Sequence, residues 1–306
     1  MNPHAQKTLA VIFCETNRLD VAVIAPSTEV VIANVEAPFG LFVELLEPSR
    51  LAESNDPVDG LLITLTRRLH DTVSGALSLL ALGRFQQAEI LSRTVMESAL
   101  SLQYILAEHS GHRLVQYFQD YVQVERGQNR KWQNEIAGAP ASWREDHLRR
   151  IKDKAEALDG YEAFIQHFAA TLPAASIQSK AWPSTFDICV ALGKAVDYRT
   201  VYMAMCSQAH HDAEDILNDF IVGSSTDFET RGQQLERETG NFSIFLLLCS
   251  IRYYLECFAQ IGRRYNFPTV ETQSFKSHAV VSDLAEKVTS HGFINQEFDG
   301  FLPKRI

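Results

Sequence analysis

From Pro38 onward, apolar residues recur at intervals of three and four, and only isolated breakers interrupt the pattern. That period belongs to helices with one apolar stripe each, and such helices must bury their stripes against one another. Asp56-Pro57-Val58-Asp59 supplies an N-cap carboxylate, a proline at the first helical position and an early acid facing the helix dipole. It predicts a long helix ending at Gly83, a residue suited to the left-handed turn past a helix end. A second helix is expected over about 84–108, and the Ser110-Gly111 break separates it from a third over about 112–136. Pro140, Pro173 and Pro183 punctuate a less regular middle, where two short helices are expected on either side of Gly160. A fifth long helix is expected over 197–221 and a sixth over 241–264, stopped by Pro268. The tail leaves room for one short helix over 280–289.

Residues 8–36 read differently. LAVIFCE, LDVAVIA and EVVIANVEA are short and β-branched, with Asn17-Arg18 and Pro26-Ser27 as turn residues between them, which predicts a small three-stranded sheet or meander. The expected fold is therefore mainly α: an antiparallel bundle of four to six helices over 38–265, an N-terminal β element over 1–37 and a C-terminal tail over 266–306. Leu82 to Ala88 looks like the turn of a tetratricopeptide repeat, but no second copy lies ~34 residues away. It reads as a helical hairpin.

Composition narrows the class without naming a function. With 46% apolar and 22% charged residues, the chain is neither disordered nor a disulfide scaffold. Its five cysteines form no C-x-x-C pair and sit among apolar neighbours, as buried thiols in a reducing cytoplasm do. The N-terminus lacks a basic segment before an apolar run, and Phe242 to Ile251 falls short of the ~20 residues of a membrane span. A soluble cytoplasmic protein with no membrane partner is expected.

Two helices carry candidate chemistry. Around the second predicted helix, Arg93, Glu97, Ser101, Tyr104 and Glu108 share one stripe, opposite Leu91, Val95, Ala99, Leu102 and Leu106. A solvated polar face explains that stripe equally well, although Arg93 before Glu97 is the weaker order for a helical ion pair. In the fifth helix, His210 falls beside an apolar arc containing Tyr202, with Ser207 and Glu214 on its own side. A buried imidazole needs a partner, so His210 is either a satisfied core histidine or a catalytic or ligand-binding one. His-Glu-x-x-His and Glu-x-x-His spacings are absent, as are a phosphate-binding Gly loop and a G-x-S-x-G elbow. Neither a metal nor a cofactor is expected.

The net charge of −10 is unevenly placed. Between Arg126 and Lys154 eight bases face four acids, with Trp132 and Trp143 interleaved, while from Ala204 to Glu238 eight acids face two bases. Arg126, Arg130, Lys131, Arg149 and Arg150 could follow a nucleic-acid backbone, or could simply solvate a helix pair.

Gln87-Ala88, Arg93-Thr94-Val95-Met96-Glu97-Ser98-Ala99 and Tyr104-Ile105-Leu106, followed by Tyr198, Tyr202 and Ser207-Gln208-Ala209-His210, resemble an uncharacterised family of bacterial helical proteins known only as a domain of unknown function. The resemblance covers roughly residues 60–225 and implies that Arg93, Glu97 and His210 belong to one site. It implies no activity. More distantly, the arrangement is similar to the HEPN-type bundles of bacterial defence and toxin systems. The Arg followed after four to six residues by His that marks their ribonucleases is absent here.

Two functions follow as expectations. In one, Arg93, Glu97, Tyr104, Tyr202, Ser207, Glu214 and His210 form a polar inter-helix site that binds a small ligand or protein. In the other the chain is a hydrolytic effector acting on nucleic acid, with His210 as general acid or base, Glu97 orienting it and Arg93 stabilising an anion. An acidic chain is a poor general binder of phosphate backbones, which favours the first. Homo-oligomerisation is the default expectation for such a bundle.

Overall fold

The computed structural model describes residues 8–46, 56–172, 181–208, 213–290 and 300–304, with the side chains of 207–208 and 213–215 left aside. Among the described residues there are helices and no strands. The elements are α1 (Leu9–Asn17), α2 (Pro26–Leu46), α3 (Pro57–Ala81), α4 (Phe85–Leu106), α5 (His112–Glu135), α6 (Ala141–Thr171), α7 (Thr185–Ala191), α8 (Ala195–Asp197), α9 (Met203–Gln208), α10 (Ala213–Gly223), α11 (Phe228–Arg264) and α12 (Pro268–Thr289). Single 3-10 turns lie at Val21–Val23 and Ile136–Gly138, and a π-helical turn at Tyr198–Tyr202 joins α8 to α9.

The chain divides into two compact units, residues 1–106 with 185–306, and residues 107–184. In the first unit α11 is the central helix, packed on α4 and α12, while α3 packs on α4 and α2 on α12. By length and composition alone α11 could cross a membrane, but 78% of its most apolar window is buried inside the protein. It is a core helix. At its C-terminal end the chain turns back through Asn266, at a φ of 56°, into α12. Gly262 permits that approach, because a Cβ there would lie 2.6 Å from the backbone nitrogen of Glu271.

The expected N-terminal β element is helical instead. Thr8 caps α1, its Oγ1 accepting from the Val11 amide, and α2 runs unbroken through Pro38. Val31, Ile32, Val35, Phe42 and Leu46 are all buried, and their three- and four-residue spacing is a helical stripe. Burying each such side chain is worth roughly 1.5–3 kcal/mol, whereas β-branched residues disfavour a helix by only a few tenths each. Packing therefore overrides local preference. The tail departs in the same way, since α12 is 22 residues long and starts at Pro268.

In the same unit, α2, α3 and α11 bring polar groups into the core. His70 Nδ1 lies 2.8 Å from the Tyr254 hydroxyl, which also donates to the Val35 carbonyl at 3.3 Å. His70 Nε2 lies 3.5 Å from Glu36 Oε1, and the imidazole stacks on Phe39 at 3.5 Å.

The second unit is a helical hairpin of α5 and α6. Its buried apolar residues include Leu114, Val115, Val122, Ile136, Ile151, Leu158, Ile165 and Phe168, and the Asn129 amide donates to the Ile151 carbonyl at 3.0 Å. The two short helices expected around Gly160 are one continuous helix of 31 residues. Nothing crowds Gly160, and the ~1 kcal/mol an exposed glycine costs does not end a helix anchored at Ile151, Leu158 and Ile165.

Candidate functional site

The strongest candidate lies in the first unit, where α4 meets the chain from α7 to α9. The periodicity of residues 197–221 predicted one regular helix, yet its first turns are wound as a π-helix over Tyr198–Tyr202. A π-turn takes an extra residue per turn and re-aims the side chains that follow, and such turns are frequent at functional sites. Here Tyr198 and Tyr202 stack at 5.0 Å, with Tyr202 buried. Its hydroxyl donates to Glu97 Oε1. The same oxygen accepts from Arg93 Nε at 3.1 Å, and the Arg93 guanidinium carbon lies 5.8 Å from the Tyr202 ring centroid.

Arg93 and Glu97 thus form a real pair despite their less favourable order, because Tyr202 adds a third member. Burial raises the Tyr202 pKa, and the adjacent Glu97 carboxylate raises it further, so the hydroxyl stays a donor. For Arg93, burial works downward, but the hydrogen bond and charge of Glu97 outweigh it and hold the pKa above its ordinary value. The pair is not sealed off: the side chains are 28% and 38% exposed. A fixed carboxylate, a guanidinium and two stacked phenol rings can together recognise a polar ligand.

Of the other predicted site residues, Tyr104 is half-buried on α4, two turns beyond Glu97. Ser207 and Glu214 have their backbones in α9 and α10, while their side chains lie outside the described part of the structure. His210 lies outside the described residues altogether.

Sequence reasoning missed a second polar network in this unit. Glu256 of α11 accepts from Lys194 Nζ at 2.5 Å and from Gln103 Nε2 at 3.3 Å, and His278 Nε2 lies 3.6 Å away. Burial pushes the Glu256 carboxyl upward, but His278 and Lys194 outweigh it and bring it below the ordinary value. Next to it, the Tyr253 hydroxyl donates to Asp197, the residue that precedes the π-turn, and Lys194 Nζ sits 4.5 Å from the Tyr253 ring centroid. These contacts anchor the start of the π-turn to α4, α11 and α12. The available signal was Glu256 itself, a carboxylate between Leu255 and Cys257 within an apolar run. An ionisable residue on a core-facing stripe needs a buried partner.

The basic stretch of the second unit is laced with acids. Arg126 bonds Asp159 at 2.7 Å and Glu162 at 2.6 Å, Lys154 bonds Glu125 at 2.5 Å, and Arg149 and Arg150 bond Asp146 at 2.5 and 2.9 Å. Arg130 and Lys131 are exposed. Among the described residues no group of three or more His, Cys, Asp or Glu is placed to hold a metal ion.

The model of a family of unknown function (DUF5677) matches residues 59–229, a stretch containing Arg93, Glu97, Lys194 and Tyr202 and ending in the first turn of α11. No curated protein and no solved structure matches the chain.

Proposed function

The chain belongs to this family of unknown function, and from the geometry of its matched stretch we propose that it is a binding module whose Arg93–Glu97–Tyr202 site takes a small polar ligand. The observation that carries this reading is the π-turn, which sets Tyr202 against a half-exposed ion pair. A contact needed only for helix register would be served by apolar packing, without a buried hydroxyl on a carboxylate that water still reaches. A reducing cytoplasmic setting is part of the reading, supported by five free thiols. The hydrolytic alternative has less support, because most of its basic track is paired with carboxylates.

Thermal-shift measurements on the full chain against free amino acids, dicarboxylates and dipeptides test the proposal. A compound that raises the Tm of the wild type, and not of Tyr202→Phe or Arg93→Ala, supports it. If none does so, and Tyr202→Phe costs only the ~1.5 kcal/mol of one hydrogen bond to a charged group, the triad is a structural contact and the proposal fails.

A further inference from the structure

The hairpin of the second unit holds a cleft of about 560 Å³ between α5 and α6, within the range of small-molecule sites. Its polar lining consists of Arg126, Asn129, Arg130, Gln133 and Lys152, its accessible apolar lining of Leu148 and Ala155 beside the buried Ile151 and Leu158, and no carboxylate lines it. That is unexpected in a chain of net charge −10.

Three features give the cleft a chemistry. Arg126 is tied to Asp159 and Glu162, so it forms a fixed wall. Arg130 is exposed and has no carboxylate within ion-pair distance among the described residues, and Lys152 is held only by a 3.7 Å contact to Glu156. These two cations are available to an anion. Asn129 is 7% exposed; its Nδ2 is committed to the Ile151 carbonyl, which fixes the amide orientation, and its Oδ1 is a buried acceptor with no partner. A buried acceptor without a donor is the mark of an unfilled contact.

We infer that this cleft binds a nucleoside monophosphate. The phosphate sits on Arg130 and Lys152, where charge-assisted bonds are strong. The base lies against Leu148 and Ala155, with one of its N–H groups directed to Asn129 Oδ1. This site is separate from the one proposed above, and the two readings stand or fall independently.

Isothermal titration of the full chain with AMP, CMP, adenosine, inorganic phosphate and a short single-stranded RNA tests the inference. AMP or CMP should bind at least about tenfold more tightly than adenosine or phosphate alone, and Arg130→Ala should weaken that binding by about tenfold. Arg130 is on the surface, so the variant should keep the wild-type Tm, and Arg93→Ala should leave nucleotide binding unchanged. Absence of binding by either nucleotide, or equal affinity in Arg130→Ala, overturns the inference. So does phosphate binding as tightly as the nucleotides. Tighter, Arg130-dependent binding of the RNA overturns the free nucleotide as ligand and assigns the same chemistry to a nucleotide within a strand.

Discussion

The Glu36–His70 pair makes a quantitative prediction, because burial moves its two members in opposite directions. It pushes the Glu36 carboxyl up from 4.5 to about 7 and the His70 imidazole down from 6.5 to about 4. Between those limits both groups are neutral in the folded protein. Glu36, with its folded pKa raised, contributes stability that is complete below pH 4.5 and lost as pH rises through 7. His70, with its folded pKa depressed, contributes stability that is present above pH 6.5 and lost as pH falls through 4. At 1.36 kcal/mol per pKa unit each effect is about 3 kcal/mol at most, and less where water reaches the 19% exposed Glu36 side chain. Between pH 4.5 and 6.5 the two cancel, because the unfolded chain carries Glu⁻ and His⁺ while the folded one carries their neutral forms with the same proton count. Glu36→Gln unmasks the imbalance. Urea unfolding of wild type and variant at half-unit steps from pH 4 to 8 should show the stability difference, variant minus wild type, rising by about 3 kcal/mol between pH 4.5 and 7. A difference that is flat or falls over that interval would refute the burial argument.

Two further perturbations test the packing. Lys194→Met leaves the Glu256 carboxylate buried with a weaker set of partners, and should destabilise by about 3 kcal/mol, more than the double variant Lys194→Met with Glu256→Leu does. Equal losses in equilibrium unfolding would show that the pair is not buried in the sense described. Gly262→Ala places a Cβ against the backbone of Glu271, so despite the ~1 kcal/mol alanine gains in helix propensity it should lower stability by about 1–2 kcal/mol. An unchanged or raised Tm would mean that α11 and α12 separate at no cost.

Residues 57–135 were legible in the sequence almost to the turn, because their boundaries are written in local chemistry. Asp56 and Pro57 start α3 with a side-chain cap, the Asp56 carboxylate accepting from the Val58 amide, and Gly83 and Gly111 take positive φ at the breaks. That Arg93 and Glu97 share one helix face was legible for the same reason, since residues four apart are neighbours on any helix, although their order argued against an ion pair. Where local preference and burial disagreed, the sequence misled: Val31, Ile32 and Val35 look like strand residues until their helical spacing is matched to the helices that cover them. The π-turn was invisible, because an extra residue in a turn leaves the apolar stripe almost intact.

What the sequence determined by itself was helical character along most of the chain, the ends of the capped helices and the shared helix face of Arg93 and Glu97. Only the tertiary structure decided that Tyr202 joins those two residues, that Lys194, Glu256, Gln103 and His278 meet, and that Asn129, in the lining of a basic cleft, is left with an unfilled acceptor. The reason is one of range. Helical periodicity is fixed by neighbours three and four residues away, but the partner of a buried polar group lies about a hundred residues off in the case of Tyr202 and Glu97, and is chosen by how whole helices pack.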